Sequence, residues 1–339
     1  MPEKLRPRPY NQVHVPRKRT PGKRRVSVYV SWSYPGESNR NIVELDHRFS
    51  TMNEVRRVGW PGFEGPQYAD PNRFQQGIAG TLELFFTAWE LFQDVVGEHT
   101  GHAVPMYQRV DHAGHLLPID ERILDDTDTL MVFGLDHNVT DQEAAPEEIE
   151  ALREFLKREG TCLLLGPHHD VGRTDDLDVR NMEYAHHGDA LVPRQQGFGR
   201  YTRSLMKGLG VPVENRYGLR PAVVPGTNQI GPLTAFHDLD SAGWLKGVTS
   251  FNFHMHLPHY ALVGDDANAV RVLARQPIDL AKPHPFTQAG NTEFNTFLWM
   301  PPAGTRAGHI LMADSTIFST LFGGDESLQQ FWKNLATVG

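Results

Sequence analysis

Histidine and carboxylate recur together in this 339-residue chain in a pattern that suits metal chemistry. Its seventeen histidines include three tight groups, His168-His169-Asp170, His186-His187-Gly188-Asp189 and His254-Met255-His256-Leu257-Pro258-His259. Imidazole nitrogen with carboxylate oxygen is a donor set for a divalent transition metal: zinc, iron, manganese or nickel. A lone cysteine, Cys162, argues against a clustered thiolate site, so the implied centre is catalytic. The candidate ligands are His168, His169, His186, His187, His254, His256 and His259, with Asp170, Glu183 and Asp189 as the carboxylates placed to move protons.

Direction sorts these candidates. On a strand, successive side chains alternate faces, so Asn252, His254 and His256 share one side while Phe251, Phe253 and Met255 share the other. Adjacent imidazoles diverge, so one of His168 and His169, and one of His186 and His187, is expected to face a cleft. Each group also has a purely structural reading, since a neutral imidazole can satisfy buried backbone groups. Asp136 and His137 end the strand before the first group and would neighbour His168 in a parallel sheet. Asp314-Ser315 is read as a helix cap, a role both residue types favour. Neither Gly-x-x-x-x-Gly-Lys-Ser/Thr nor a Gly-x-Gly-x-x-Gly after a strand is present, which argues against nucleotide cofactors.

The elements that must position these residues alternate between strand and helix. Arg25 to Trp32 reads as a first strand by its alternation and its Val and Tyr content. Asp128 to Asp136 and Thr161 to Gly166 are continuous apolar runs, the mark of parallel strands covered on both faces. Ile78, Leu82, Phe85, Trp89, Phe92 and Val96 recur at helical steps. A second helix is expected from Pro146 to Gly160 and a third from Phe198 to Leu209, with a closing strand at His309 to Asp314 and a closing helix at Ser327 to Leu335. Shorter strand signals at Gly247 to Tyr260, Ala269 to Arg275 and Thr296 to Trp299 predict a mixed extension of the sheet or a small β subdomain. The turn after Gly166, where the first histidine group stands, is where open α/β sheets place their ligands.

Composition narrows the function classes. The net charge is −8, yet Met1 to Arg25 holds nine basic residues against Glu3, leaving 24 basic and 40 acidic residues in the body. An acidic body without further basic stripes argues against nucleic acid. No apolar run approaches the ~20 residues that span a bilayer, and no secretory leader is evident, so a cytoplasmic location is expected. Residues 1–25 are expected as a flexible arm and 26–339 as one α/β domain, with insertions near 33–76, 167–199 and 211–300. The 33–76 insertion, with Tyr34, Trp60, Phe63 and Tyr68, reads as an ordered lid. The arm and the helix from Ile78 are the surfaces available for a homo-oligomer.

Two stretches resemble the glutamine-amidotransferase-like superfamily, in its ThuA-like branch. One is Asp128 to Asp170, with its strand, its helix ending Leu-Arg-Glu-Phe-Leu-Lys-Arg-Glu-Gly160 and its strand Cys-Leu-Leu-Leu-Gly166. The other is Gly308-His-Ile-Leu-Met-Ala-Asp-Ser-Thr-Ile-Phe318, similar to the branch's closing strand and turn. The resemblance implies a mostly parallel, doubly wound sheet. It departs from the family where a catalytic cysteine would stand, because that turn reads Gly166-Pro167-His168-His169-Asp170 and Cys162 lies near the strand's start. The expected function is a metal-dependent hydrolase or lyase acting on a small polar molecule, with an amide C–N bond implied by the resemblance. The alternatives are a non-catalytic domain that binds a small molecule or carbohydrate, and a metal-free amidohydrolase using Cys162.

Overall fold

Three strands of continuous apolar sequence form the middle of the molecule: β1 (Val26–Ser31), β3 (Thr129–Gly134) and β4 (Cys162–Pro167), every residue of which is buried. The computed structural model describes residues 17–32, 88–110, 115–188, 195–227, 229–251, 256–320 and 326–338. With β2 (Met106–Gln108) and β12 (His309–Ala313) these strands run parallel in the order β2-β1-β3-β4-β12. Numbered among themselves along the chain, the five follow the 2-1-3-4-5 order of flavodoxin-like sheets.

The sheet continues antiparallel from β12 through β11 (Glu293–Met300) and β10 (Arg271–Pro277) to the two-residue β8 (Thr234–Ala235). This is the mixed extension expected between 211 and 300. Two small pairs stand apart from it: β5 (Asp170–Val171) with β6 (Gln196–Gly197), and β7 (Val213–Leu219) with β9 (Leu257–Leu262).

Helices cover both faces, so the fold is a doubly wound α/β sheet. The helix over 88–100 (α1) buries Trp89, Phe92 and Val96 in one core, where they meet Phe331 and Trp332 of α7 (Glu326–Leu335). The short α2 (Glu121–Leu124), α3 (Pro146–Lys157) and α5 (Arg200–Gly208) line the opposite core. Gly160 ends the α3 segment at a φ of 72°, in the left-handed region that favours glycine. Ile78, Leu82, Phe85, the 33–76 segment and residues 1–16 lie outside the described residues.

Two elements differ from the sequence reading. The polar stretch after Pro167 contains α4 (Leu177–His187), capped by the Asp176 carboxylate at one end and by Gly188 at a φ of 82° at the other. Its buried residues are Glu183, His186 and His187, so no apolar period announces it. The strand expected over Gly247 to Tyr260 starts instead at Leu257. Upstream, the Asp240 carboxylate accepts hydrogen bonds from the backbone of Gly243, Trp244 and Leu245, which ties that segment into a turn. The short α6 (Pro285–Gln288) completes the described helices.

The basic N-terminal segment is anchored from residue 17 onward. Arg17 pairs with Asp126 at 3.0 Å and donates to the carbonyls of Val26 and Ala103, while Arg25 reaches Asp126 and Asp128. Residues 17–25 thus belong to the folded body, because the acids at the start of β3 draw their guanidinium groups in. Among the described residues, no helix is long and apolar enough to cross a membrane.

Candidate functional site

The site is built where β4 and β12 leave the sheet side by side. Gly166 makes this possible: a Cβ there would stand 2.7 Å from the Ala313 carbonyl oxygen and 3.2 Å from the Ser315 nitrogen. The backbone of His168 is then fixed by donation to the Gly134 carbonyl at 3.0 Å, and its own carbonyl accepts from the Asn215 amide. Asp314, one residue past β12, faces His168, whose Nδ1 donates to Asp314 Oδ1 at 2.9 Å. Both side chains are buried.

Four imidazoles gather here. The His169 ring centroid lies 3.9 Å from that of His168, 4.3 Å from that of His256 and 4.9 Å from that of His187. His169 Nε2 and His187 Nε2 are 3.4 Å apart, and the His187 ring stacks on His256 at 3.7 Å. His168, His169 and His256 each offer one ring nitrogen, all within 4.8 Å of one another. His168 or His169 was expected to share a cavity with His254 and His256; both adjacent rings lie against His256, while His254 lies outside the described residues. β4 ends at Pro167 and β5 begins at Asp170, so the two histidines occupy a bend where strand alternation does not apply.

The remaining candidates are placed elsewhere. His186 donates from Nδ1 to the Lys282 carbonyl and accepts at Nε2 from the Arg220 backbone, so both nitrogens hold loops together. His259 accepts from the Asn295 backbone and packs between Tyr217 and Phe286. Burial, with the charges of Arg216 and Arg275, pushes its pKa down to about 4. His137 accepts from the Gly197 backbone, and burial pushes it down to about 3. His254 and Asp189 lie outside the described residues.

Asp170 and Glu183 line a neighbouring cavity of about 810 Å³. Asp170 is held between Arg173 and Arg203, at 3.0 and 2.5 Å. Glu183 accepts from the Gly172 backbone at 2.7 Å, and burial, with Asp170 nearby, raises its pKa. The carboxylate at the imidazoles is instead Asp314. It occupies the cap position before the short 3-10 turn Ser315–Phe318, but its carboxylate makes no capping bond to that turn's backbone and turns to His168 and the Thr316 hydroxyl instead. The capping expectation is corrected accordingly. The missed signal was topological, since parallel pairing of β4 with β12 puts the residues after both strands at one edge.

Cys162 is the first residue of β4, fully buried, and burial pushes its thiol up to about 12. No protein-family model matches the chain, and no curated protein matches its sequence.

Proposed function

We propose that this chain is a metal-dependent hydrolase or lyase whose ion is held by His168, His169 and His256. The observation that carries the reading is the convergence of these three imidazoles beside the His168–Asp314 pair. Ligand nitrogens about 2.1 Å from a shared tetrahedral ion stand roughly 3.4 Å apart. Three nitrogens within 4.8 Å reach that spacing by small ring movements. A metal-bound imidazole commonly donates its other N–H to a carboxylate, as His168 does to Asp314.

Three protein ligands leave a coordination position for water or substrate, as in catalytic rather than structural sites. The ion would supply an activated water and polarise a carbonyl-type electrophile. His187, in contact with His169 and stacked on His256, is the group placed to exchange protons there. The resemblance to amidotransferase-like domains favours an amide C–N bond as the one cleaved. Nothing favours the cysteine route, since a buried thiol with a raised pKa is a poor nucleophile.

Elemental analysis of the purified protein tests the reading. About one zinc, iron, manganese or nickel ion per chain is expected, lost in a His169→Asn, His256→Asn double variant that keeps its circular dichroism. Amide hydrolysis should vanish on chelation and return with the ion. Metal-free protein that takes up none of these ions on reconstitution would reject it.

A further inference from the structure

The cavity beside the histidines has a chemistry of its own. Four cations line it, Arg173, Arg203, Lys207 and Arg216, against the three carboxyl groups of Asp170, Glu183 and Glu214. On a chain of net charge −8, this is a local excess of positive charge.

Two of the cations are poised for a ligand. Arg203 and Lys207 are four residues apart on α5, hence on one helix face, a spacing at which like charges repel. Arg203 gives one terminal nitrogen to Asp170, but its buried Nε has no hydrogen-bond partner. On the β7 wall, Asn215 is 2 % exposed; its amide nitrogen donates to the His168 carbonyl, while its Oδ1 accepts no hydrogen bond. A buried acceptor without a donor is costly, so a ligand N–H or O–H reaching it is favoured.

We propose that this cavity binds a small carboxylic acid bearing hydroxyl or amino groups, its carboxylate toward Arg203 and Lys207 and a donor toward Asn215. The volume of about 810 Å³ falls in the range of small-molecule sites. The proposal stands without the metal, because none of the three proposed ligands lines the cavity.

Titration calorimetry on chelator-treated full-length protein tests it with three probes: gluconate, which carries both features, sorbitol, which carries only hydroxyls, and hexanoate, which carries only the carboxylate. Gluconate is expected to bind at least about tenfold tighter than either partial probe, a difference of one decade in Kd. Its affinity should fall with salt and drop a further five- to tenfold in Lys207→Gln, an exposed position whose change leaves the fold intact. Sorbitol binding should not respond to that substitution. Equal binding of gluconate and sorbitol, no gluconate binding, or an unchanged affinity in both Lys207→Gln and Lys207→Glu would overturn the proposal. Gluconate binding that appears only after an ion is restored would place the ligand on the metal, also overturning it while leaving the metal reading intact.

Discussion

His168 Nδ1 donates to Asp314 Oδ1 across 2.9 Å, joining two residues that are 146 positions apart in the chain. With an ionised Asp314 the bond places the ring's proton on Nδ1, and on the proposed metal reading Nε2 is the nitrogen that would face the ion. Asp314→Asn preserves shape but removes the charge, and its amide can present an N–H to a ring nitrogen that must then change tautomer. Metal affinity is expected to fall about 10- to 100-fold, the usual cost of losing such a partner. Competition with a chromogenic chelator measures it, and unchanged affinity would separate Asp314 from the site.

Gly218 on β7 tests the packing around the imidazoles. A Cβ there would stand 2.9 Å from His187 Cδ2 and 3.2 Å from His169 Cγ and Nδ1. Gly218→Ala should therefore displace the two rings and weaken metal binding, at a stability cost of about 1–3 kcal/mol for overpacking. Paired metal titration and urea unfolding would show both effects. Full metal affinity in the variant would mean the rings have more room than these contacts allow.

Cys162 is expected to behave as a small apolar group. Iodoacetamide should leave it unmodified in the native protein and label it completely in denaturant, and Cys162→Ala should retain activity while losing on the order of 1 kcal/mol of stability. Native labelling that kills turnover would restore the cysteine mechanism.

Acid should destabilise the fold through its buried neutral histidines. His137 is pushed to about 3 by burial and then by Arg173 and Arg203, and His284 to about 3 by burial and then by His186. Both start from an ordinary value of 6.5. The unfolded chain takes up these protons below about 6.5 and the folded one does not until about 3. Their contribution is complete above that range and is lost as pH falls through it, by at most about 1.4 kcal/mol per pH unit each. His284 accepts from the Phe286 backbone as a helix cap, a bond that Asn can replace. Urea midpoints for His284→Asn should decline less between pH 7 and pH 5 than for the wild type; parallel declines would refute the assignment.

How much of this was legible in sequence depended on locality. β3, β4 and β12 announce themselves because strands buried on both faces must be apolar throughout. α4 stayed hidden because the face it buries carries Glu183, His186 and His187. The histidine groups stood out as groups, but the choice between His186 and His187 depends on where Lys282 and Arg220 pass, which no local pattern encodes. Asp314 reads as a cap in sequence, because Asp-Ser before a turn looks the same whether the carboxylate meets the turn's own backbone or a distant imidazole. Arg203 and Asn215 carry no local signal, since an arginine on a helix and an asparagine on a strand are ordinary until a cavity lies between them.

β12 enters the sheet between β4 and β11, so the last parallel strand to be synthesised occupies an interior position. A chain emerging from the ribosome can pair β1, β2, β3 and β4 and assemble His168 and His169 well before Asp314 exists. The imidazole pair must then wait, next to an open edge of β4, for a strand that arrives nearly 150 residues later. Asp314 lies 146 positions after His168, which makes the His168–Asp314 contact a late event of synthesis. On the proposed metal reading, competence to hold an ion would report that the chain has closed its sheet through β12.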